Sequence, residues 1–132
     1  AVSDFRPVRR AGTKLPRRAE LTLRLRATPD IIARLPRRRG QLVVGFALET
    51  GAVLSRARAK LRAKRLDVLV AQKANGHRTP FGRRRVQVWL LAHDGSAVPL
   101  GRRSKAEVAR ALLDKIETLW YGQQRRDRTP SE

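Results

Sequence analysis

Lys60 and Lys64 lie four residues apart, which puts both side chains on one face of a helix, one turn from each other. Two ammonium groups so placed repel. They are tolerated when both are solvated and favoured when a polyphosphate lies between them. Only six of the 31 basic residues are lysines, so arginine is the chain's usual cation. A lysine kept against that background fits a task needing a compact ammonium rather than a planar fork. Lys14 is another such residue. It stands in the basic stretch 6–18, where Pro7, Gly12 and Pro16 prevent regular structure. A mobile loop there can bring an ammonium to charge developing on a phosphate, although basic loops that are merely solvated are also common. Asp4 reads as the carboxyl edge of a short strand over residues 1–5. It can meet a ligand hydroxyl, a metal ion or a helix N-terminus there, or serve only as a turn residue.

The element that must position the lysine pair is the stretch 41–71. The apolar run QLVVGFAL (41–48) predicts a buried strand, Glu49-Thr50-Gly51 a turn, residues 52–65 a helix, and DVLVA (67–71) a second buried strand. A strand, helix, strand succession of about 30 residues is the parallel crossover unit, so the fold class is α/β. The expected architecture is a three-layer, Rossmann-like, mostly parallel sheet with covering helices and a C-terminal β-hairpin. Ligands of such folds gather at the carboxyl ends of the strands, which directs attention to 45–50 and to the residues after Ala71.

The remaining segments add to this unit. ELTLRLR (20–26) alternates leucine with polar residues, the pattern of an edge strand with one wet face. Thr28-Pro29-Asp30 reads as a helix start, with Thr28 as cap and Ile31, Ile32 and Leu35 on one face. Its free N–H groups could bind anionic oxygens, as those of any helix could. Asn75-Gly76 and Pro80 mark a loop over 72–85, and 86–92 with 96–100 form a hairpin about Asp94-Gly95. Ser104 and Glu107 have capping-box spacing at the start of a helix over 105–120, and residues 122–132 read as a disordered polar tail.

Composition excludes several classes. The chain has no cysteine, so thiolate chemistry and disulfides are out. His77 and His93 sit in separate turns and read as surface residues, and no dedicated metal site is expected. Neither common Gly-rich phosphate loop nor a nucleophile elbow is present. No apolar run approaches the roughly 20 residues of a membrane span, and the simplest location is cytoplasmic. The net charge is +20, carried by residues 6–39 and 56–85. So large a surplus suits phosphates, nucleic acid or acidic surfaces, or marks an arginine-rich solvated surface. With six aromatic residues and no visible stacking platform, a nucleic-acid module is the weaker reading.

Taken in order, Ala-Val-Ser-Asp-Phe-Arg-Pro (1–7), Lys14, ELTL (20–23), Pro29-Asp30-Ile31, Val44-Gly45-Phe46-Ala47 with Glu49-Thr50, and Lys60 and Lys64 ahead of Leu66-Asp67 resemble phosphopantothenoylcysteine synthetase. This ligase domain is fused in many bacteria to phosphopantothenoylcysteine decarboxylase. The resemblance runs over residues 1–119 and covers the C-terminal part of that domain (1–121 here). It implies CTP-dependent activation of 4'-phosphopantothenate to an acyl-cytidylate, followed by amide formation with cysteine, with magnesium and a homodimeric full-length protein. FMN would belong only to the fused decarboxylase. It also implies catalysis by Lys14, CTP binding by Asp4, Lys14, Pro29, Asp30, Ile31, Ile32, Phe46, Lys60 and Lys64, and phosphopantothenate binding by Ala1 and Asp4. The chain departs from the family in three places. Pro16 replaces a loop lysine, Gln72-Lys73 replaces Asn-Asp, and of the Gly-Phe-x-Ser-Asp-x-Asn loop only Phe81-Gly82 remains. The family's Gly-rich phosphate loop belongs to its N-terminal half, so the chain alone is expected to be inactive, and Gln72-Lys73 with the altered 81–85 loop leave a non-catalytic paralogue as the alternative.

Overall fold

The computed structural model describes residues 3–74 and 85–128, the last three by backbone alone. Two compact units follow each other in the chain, residues 1–35 and 36–132.

The first unit is a two-stranded antiparallel ribbon. Its strands are β1 (Phe5–Pro7) and β2 (Leu25–Ala27), with Phe5 opposite Ala27 and Pro7 opposite Leu25. Pairing ends early because Pro7 has no N–H to offer, and one further bond, from Val8 N to Arg24 O at 2.9 Å, closes the ribbon. The strand expected over 20–26 is thus reduced to its last residues. Leu21, Leu23 and Leu25 are 58, 59 and 53% exposed, so the alternation in the sequence has no buried face within the unit. The single turn α1 (Ile31–Arg34) is capped by Asp30 rather than Thr28. The Asp30 carboxylate accepts the Ala33 N–H at 3.1 Å, whereas Thr28 Oγ1 donates to Ser3 O at 2.6 Å and its N–H donates to Asp4 O.

The second unit is a four-stranded mixed sheet in the order β3-β4-β5-β6, with β3 (Val44–Glu49), β4 (Val68–Lys73), β5 (Val86–Ala92) and β6 (Ala97–Arg103). The α/β class is as expected. Parallel pairing joins β3 to β4, while β5 runs antiparallel to β4, and β6 to β5.

Helix α2 (Val53–Ala63) covers one face, packing Val53, Ala57 and Leu61 against Val43, Ala47, Leu69, Ala71 and Leu91. Helix α3 (Lys105–Arg128) covers the other, with Val108 buried on Val70, Val88 and Leu90 and with Leu112 and Ala111 beside them. Three layers result, each strand of the centre dividing its side chains between the two faces.

The ends of these elements are fixed locally. Gly51 turns the chain at φ +74°, open to glycine, and Arg56 donates to Thr50 O at 3.1 Å. At the other end of α2, Arg37 donates to Lys64 O at 3.2 Å and lies 3.6 Å from Asp67, whose carboxylate accepts the Val43 N–H at 2.6 Å. The capping box forms as expected: Ser104 N donates to Glu107 Oε2 at 2.8 Å, and Glu107 N donates to Ser104 Oγ at 3.2 Å. Together with Arg85 these bonds pull the Glu107 carboxyl down to about 2, the Ser104 N–H contributing most. α3 continues past Trp120 through Gly122 to Arg128, so residues 122–128 are helical where a tail was expected.

Candidate functional site

The crossover unit puts a carboxylate and an ammonium together at the carboxyl end of β3. Alternation along the strand sends Val43, Ala47 and Glu49 towards α2 and Phe46 towards α3. Glu49 is 5% exposed although it ends the strand, and its backbone oxygen accepts the Ala74 N–H at 2.8 Å. From α2 the side chain of Lys60 leans towards the helix N-terminus, as helical side chains do, and brings Nζ to 2.6 Å from Glu49 Oε1. Among the described residues that ammonium is the group that offsets the charge of the buried oxygen. The Lys60 side chain is itself 48% exposed. A half-exposed cation held by a buried carboxylate is well placed to meet an anionic oxygen.

Lys64, one turn on, is the C-cap of α2 and so lies further from the carboxyl ends of the strands than Lys60. The chain leaves the helix through Arg65 at φ 50°. Sequence spacing treats the two lysines as equivalent. The fold distinguishes them, with Lys60 held by Glu49 and the main chain of Lys64 held by Arg37.

Phe46 stands on the opposite face of the sheet, 73% exposed. With Val70, Gln72, Val86, Val88 and Val108 it borders an apolar cleft of about 250 Å³ beside α3. Phe46 faces α3, whereas Lys60 reaches Glu49 from α2 on the other face, so these two residues of the expected CTP site lie on opposite faces of the sheet. Gln72, where the family carries Asn, borders the same cleft.

In the first unit, Asp4 precedes β1 rather than ending a strand, and β1–β2 pairing brings it beside Thr28, next to Pro29 and Asp30. All of Asp4, Ile31 and Ile32 are exposed, and the N–H group of Ala33 is taken by Asp30. Lys14 lies in the long exposed connection between β1 and β2. Ala1 and the 75–84 segment, with Asn75-Gly76, His77 and Phe81-Gly82, lie outside the described residues. Among the described residues, no group of three His, Asp or Glu side chains comes together as a metal site.

Sequence reading treats Glu49 only as part of a turn within 45–50 and misses its pairing with Lys60. Its signal was present: an acid directly after an apolar run, in line with a lysine eleven residues on.

A three-layer α/β domain with a cation held at the carboxyl end of its crossover strand has the architecture of α/β folds, whose ligands gather at that end of the sheet. The chain belongs to the family of the DNA/pantothenate metabolism flavoprotein C-terminal domain, whose model matches residues 1–119. It is 40% identical over 135 aligned positions to the coenzyme A biosynthesis bifunctional protein CoaBC of Mycobacterium tuberculosis, covering 92% of this chain and 32% of that protein. A cysteine/cysteine sulfinic acid decarboxylase of an unknown prokaryotic organism is 34% identical over 122 residues, 90% of this chain and 34% of that protein. Among solved structures, the C-terminal domain of CoaBC aligns with TM-score 0.58 and 30% identity, over 76% of this chain and 46% of that one. The chain thus spans about a third of the length of the curated relatives it matches.

Proposed function

We propose that the chain is the nucleotide-binding half of a phosphopantothenate–cysteine ligase of coenzyme A biosynthesis. The observation that carries this reading is the family match over residues 1–119, which contains every position singled out in the sequence. In the reaction, a carboxylate oxygen of 4'-phosphopantothenate attacks the α-phosphorus of CTP and pyrophosphate departs. The cysteine amine then attacks the acyl carbon of the acyl-cytidylate, forming the amide and releasing CMP.

The chain's own residues take four roles in this scheme. Lys60 and Lys64 hold the triphosphate by charge-assisted contacts. The family resemblance assigns Asp4, Phe46 and the 29–32 segment to CTP binding. Ala1 and Asp4 contact phosphopantothenate. Lys14, on its exposed loop, meets the charge that develops as the acyl-cytidylate forms or collapses. Magnesium arrives with the nucleotide, coordinated chiefly by phosphate oxygens, as suits an ion that binds through substrate phosphates rather than an all-protein cage. The family's Gly-rich loop, from the N-terminal half, completes the phosphate site, and the active form is a homodimer of the full-length protein. A cytoplasmic location fits this role. Among the described residues no helix is long and apolar enough to cross a membrane.

Calorimetry on the full-length protein tests the nucleotide reading. CTP with magnesium is expected to bind more tightly than ATP, and equal or tighter ATP binding would remove the assignment.

A further inference from the structure

The Glu49 carboxylate is buried, ionisable and given no part in the scheme above. It ends β3 at 5% exposure, and the strand around it is fixed by pairing with β4, where Glu49 stands opposite Lys73. Burying a carboxylate is expensive unless partners satisfy it, and among the described residues Oε1 depends on the Lys60 ammonium at 2.6 Å. An apolar side chain would fill the same space at lower cost, so stability alone gives a poor reason for a charge here. The arrangement is also asymmetric, since the Glu49 side chain is enclosed whereas that of Lys60 is half exposed. A pair built only to neutralise itself needs no exposed face.

We propose that Glu49 is a positioning residue for Lys60, restricting a flexible four-carbon side chain to the carboxyl end of β3 so that its ammonium stands ready for a nucleotide triphosphate. The inference rests on the nucleotide-binding reading above. Lysine loses much rotamer freedom when it is ordered by a ligand; with the ammonium already held, less of that loss falls on binding. Glu49 acts through Lys60 and touches no reacting atom. Its effect is therefore on binding of substrate and transition state alike, which raises KM for CTP when lost and leaves kcat in place.

The experiment uses the full-length protein with Glu49→Gln, Lys60→Met and the double variant, each measured by CTP calorimetry with magnesium, by steady-state kinetics and by thermal melting. Glu49→Gln keeps shape and removes charge. It is expected to weaken CTP binding about tenfold, raising KM for CTP while kcat stays within about twofold. The double variant is expected to bind no worse than Lys60→Met alone, because the two residues act as one unit. It is also expected to melt above Lys60→Met, in which a buried carboxylate is stranded. Wild-type binding of CTP that Glu49→Gln leaves unchanged, or weakening by the two substitutions that simply multiplies, overturns the positioning role while leaving the nucleotide reading intact. A wild-type protein that does not bind CTP overturns both. Should Glu49→Gln fold poorly, the neutral double variant against Lys60→Met still decides whether the two are coupled.

Discussion

Replacing Gly45 by Ala puts a methyl group 2.6 Å from Leu66 Cδ1 and 3.2 Å from Leu69 Cδ1. Both leucines are buried in the α2 face of the core, at 3 and 2% exposure, so neither can move aside into solvent. The added carbon forces off-rotamer shifts or a displacement of β3, and overpacking of this kind costs about 1–3 kcal/mol. Against this, alanine loses less backbone entropy than glycine on folding in a strand, a gain of about 0.5–1 kcal/mol. The clash is the larger effect. A net loss of about 0.5–2 kcal/mol is expected, equivalent in a chain of this size to a melting temperature lower by roughly 2–8 °C. Circular dichroism melting reads it directly. Trimming the partner tests the cause: Gly45→Ala with Leu66→Val should lose less than the sum of the two single changes. A Gly45→Ala variant that melts at or above the wild type would refute the close approach of β3 to Leu66 and Leu69.

Other expectations follow from the same geometry. Lys14→Gln in the full-length protein should bind CTP nearly normally and lose about 100-fold or more in turnover, because the value of that ammonium is realised in the transition state; near-normal turnover would leave the loop as solvated linker. Glu107 has its carboxyl at about 2 in the folded protein against an ordinary 4.5, so its stabilising bonds are fully present above pH 4.5 and are lost as pH falls from there towards 2. The gap in melting temperature between wild type and Glu107→Gln should therefore be widest above pH 4.5 and close through that window, and a gap independent of pH would argue against the ionised capping box. The +20 charge should bind duplex DNA with an affinity that collapses as salt rises, whereas CTP should stay bound near 0.15 M salt. Tight, sequence-selective DNA binding at that salt would favour the nucleic-acid reading instead.

The parts of the fold that were legible in the sequence are those whose signal is local. DVLVA reads as a buried strand because both of its faces are covered, and the chain before it has the apolar spacing of α2. QLVVGFAL, read the same way, becomes the edge strand β3 with Phe46 and Leu48 exposed on one face. The Asp94-Gly95 hairpin and the Ser104–Glu107 capping box each depend on residues within four positions, and both form. Pairing direction is less local. The antiparallel return from β4 to β5 could have been inferred from a connection with no helical pattern, but the central crossover drew the reading towards a parallel sheet. The leucines of 20–26 misled for a related reason, since alternation reports the shape of a strand and not whether a second layer covers it. The stop expected near Gly122 fails because a single exposed glycine costs a helix only about 1 kcal/mol, too little to end it.

The candidate site divides in the same way. Lysine spacing along a helix is readable, and Lys60 was found from it. Its partner Glu49 is eleven residues away in sequence and reaches it only because α2 doubles back over β3. Phe46 and Glu49 face opposite sides because of the two-residue period of β3, and Lys60 of α2 meets only the Glu49 side, which no list of separate residues conveys.

The central claim is a CTP-dependent ligase half, and pyrophosphate release tests it most directly. The full-length protein should release pyrophosphate when given CTP, magnesium and 4'-phosphopantothenate. Release should stop when phosphopantothenate is withheld, and addition of cysteine should carry the reaction on to CMP and the amide. Release that ignores phosphopantothenate, or its absence with CTP while ATP supports it, would contradict the account.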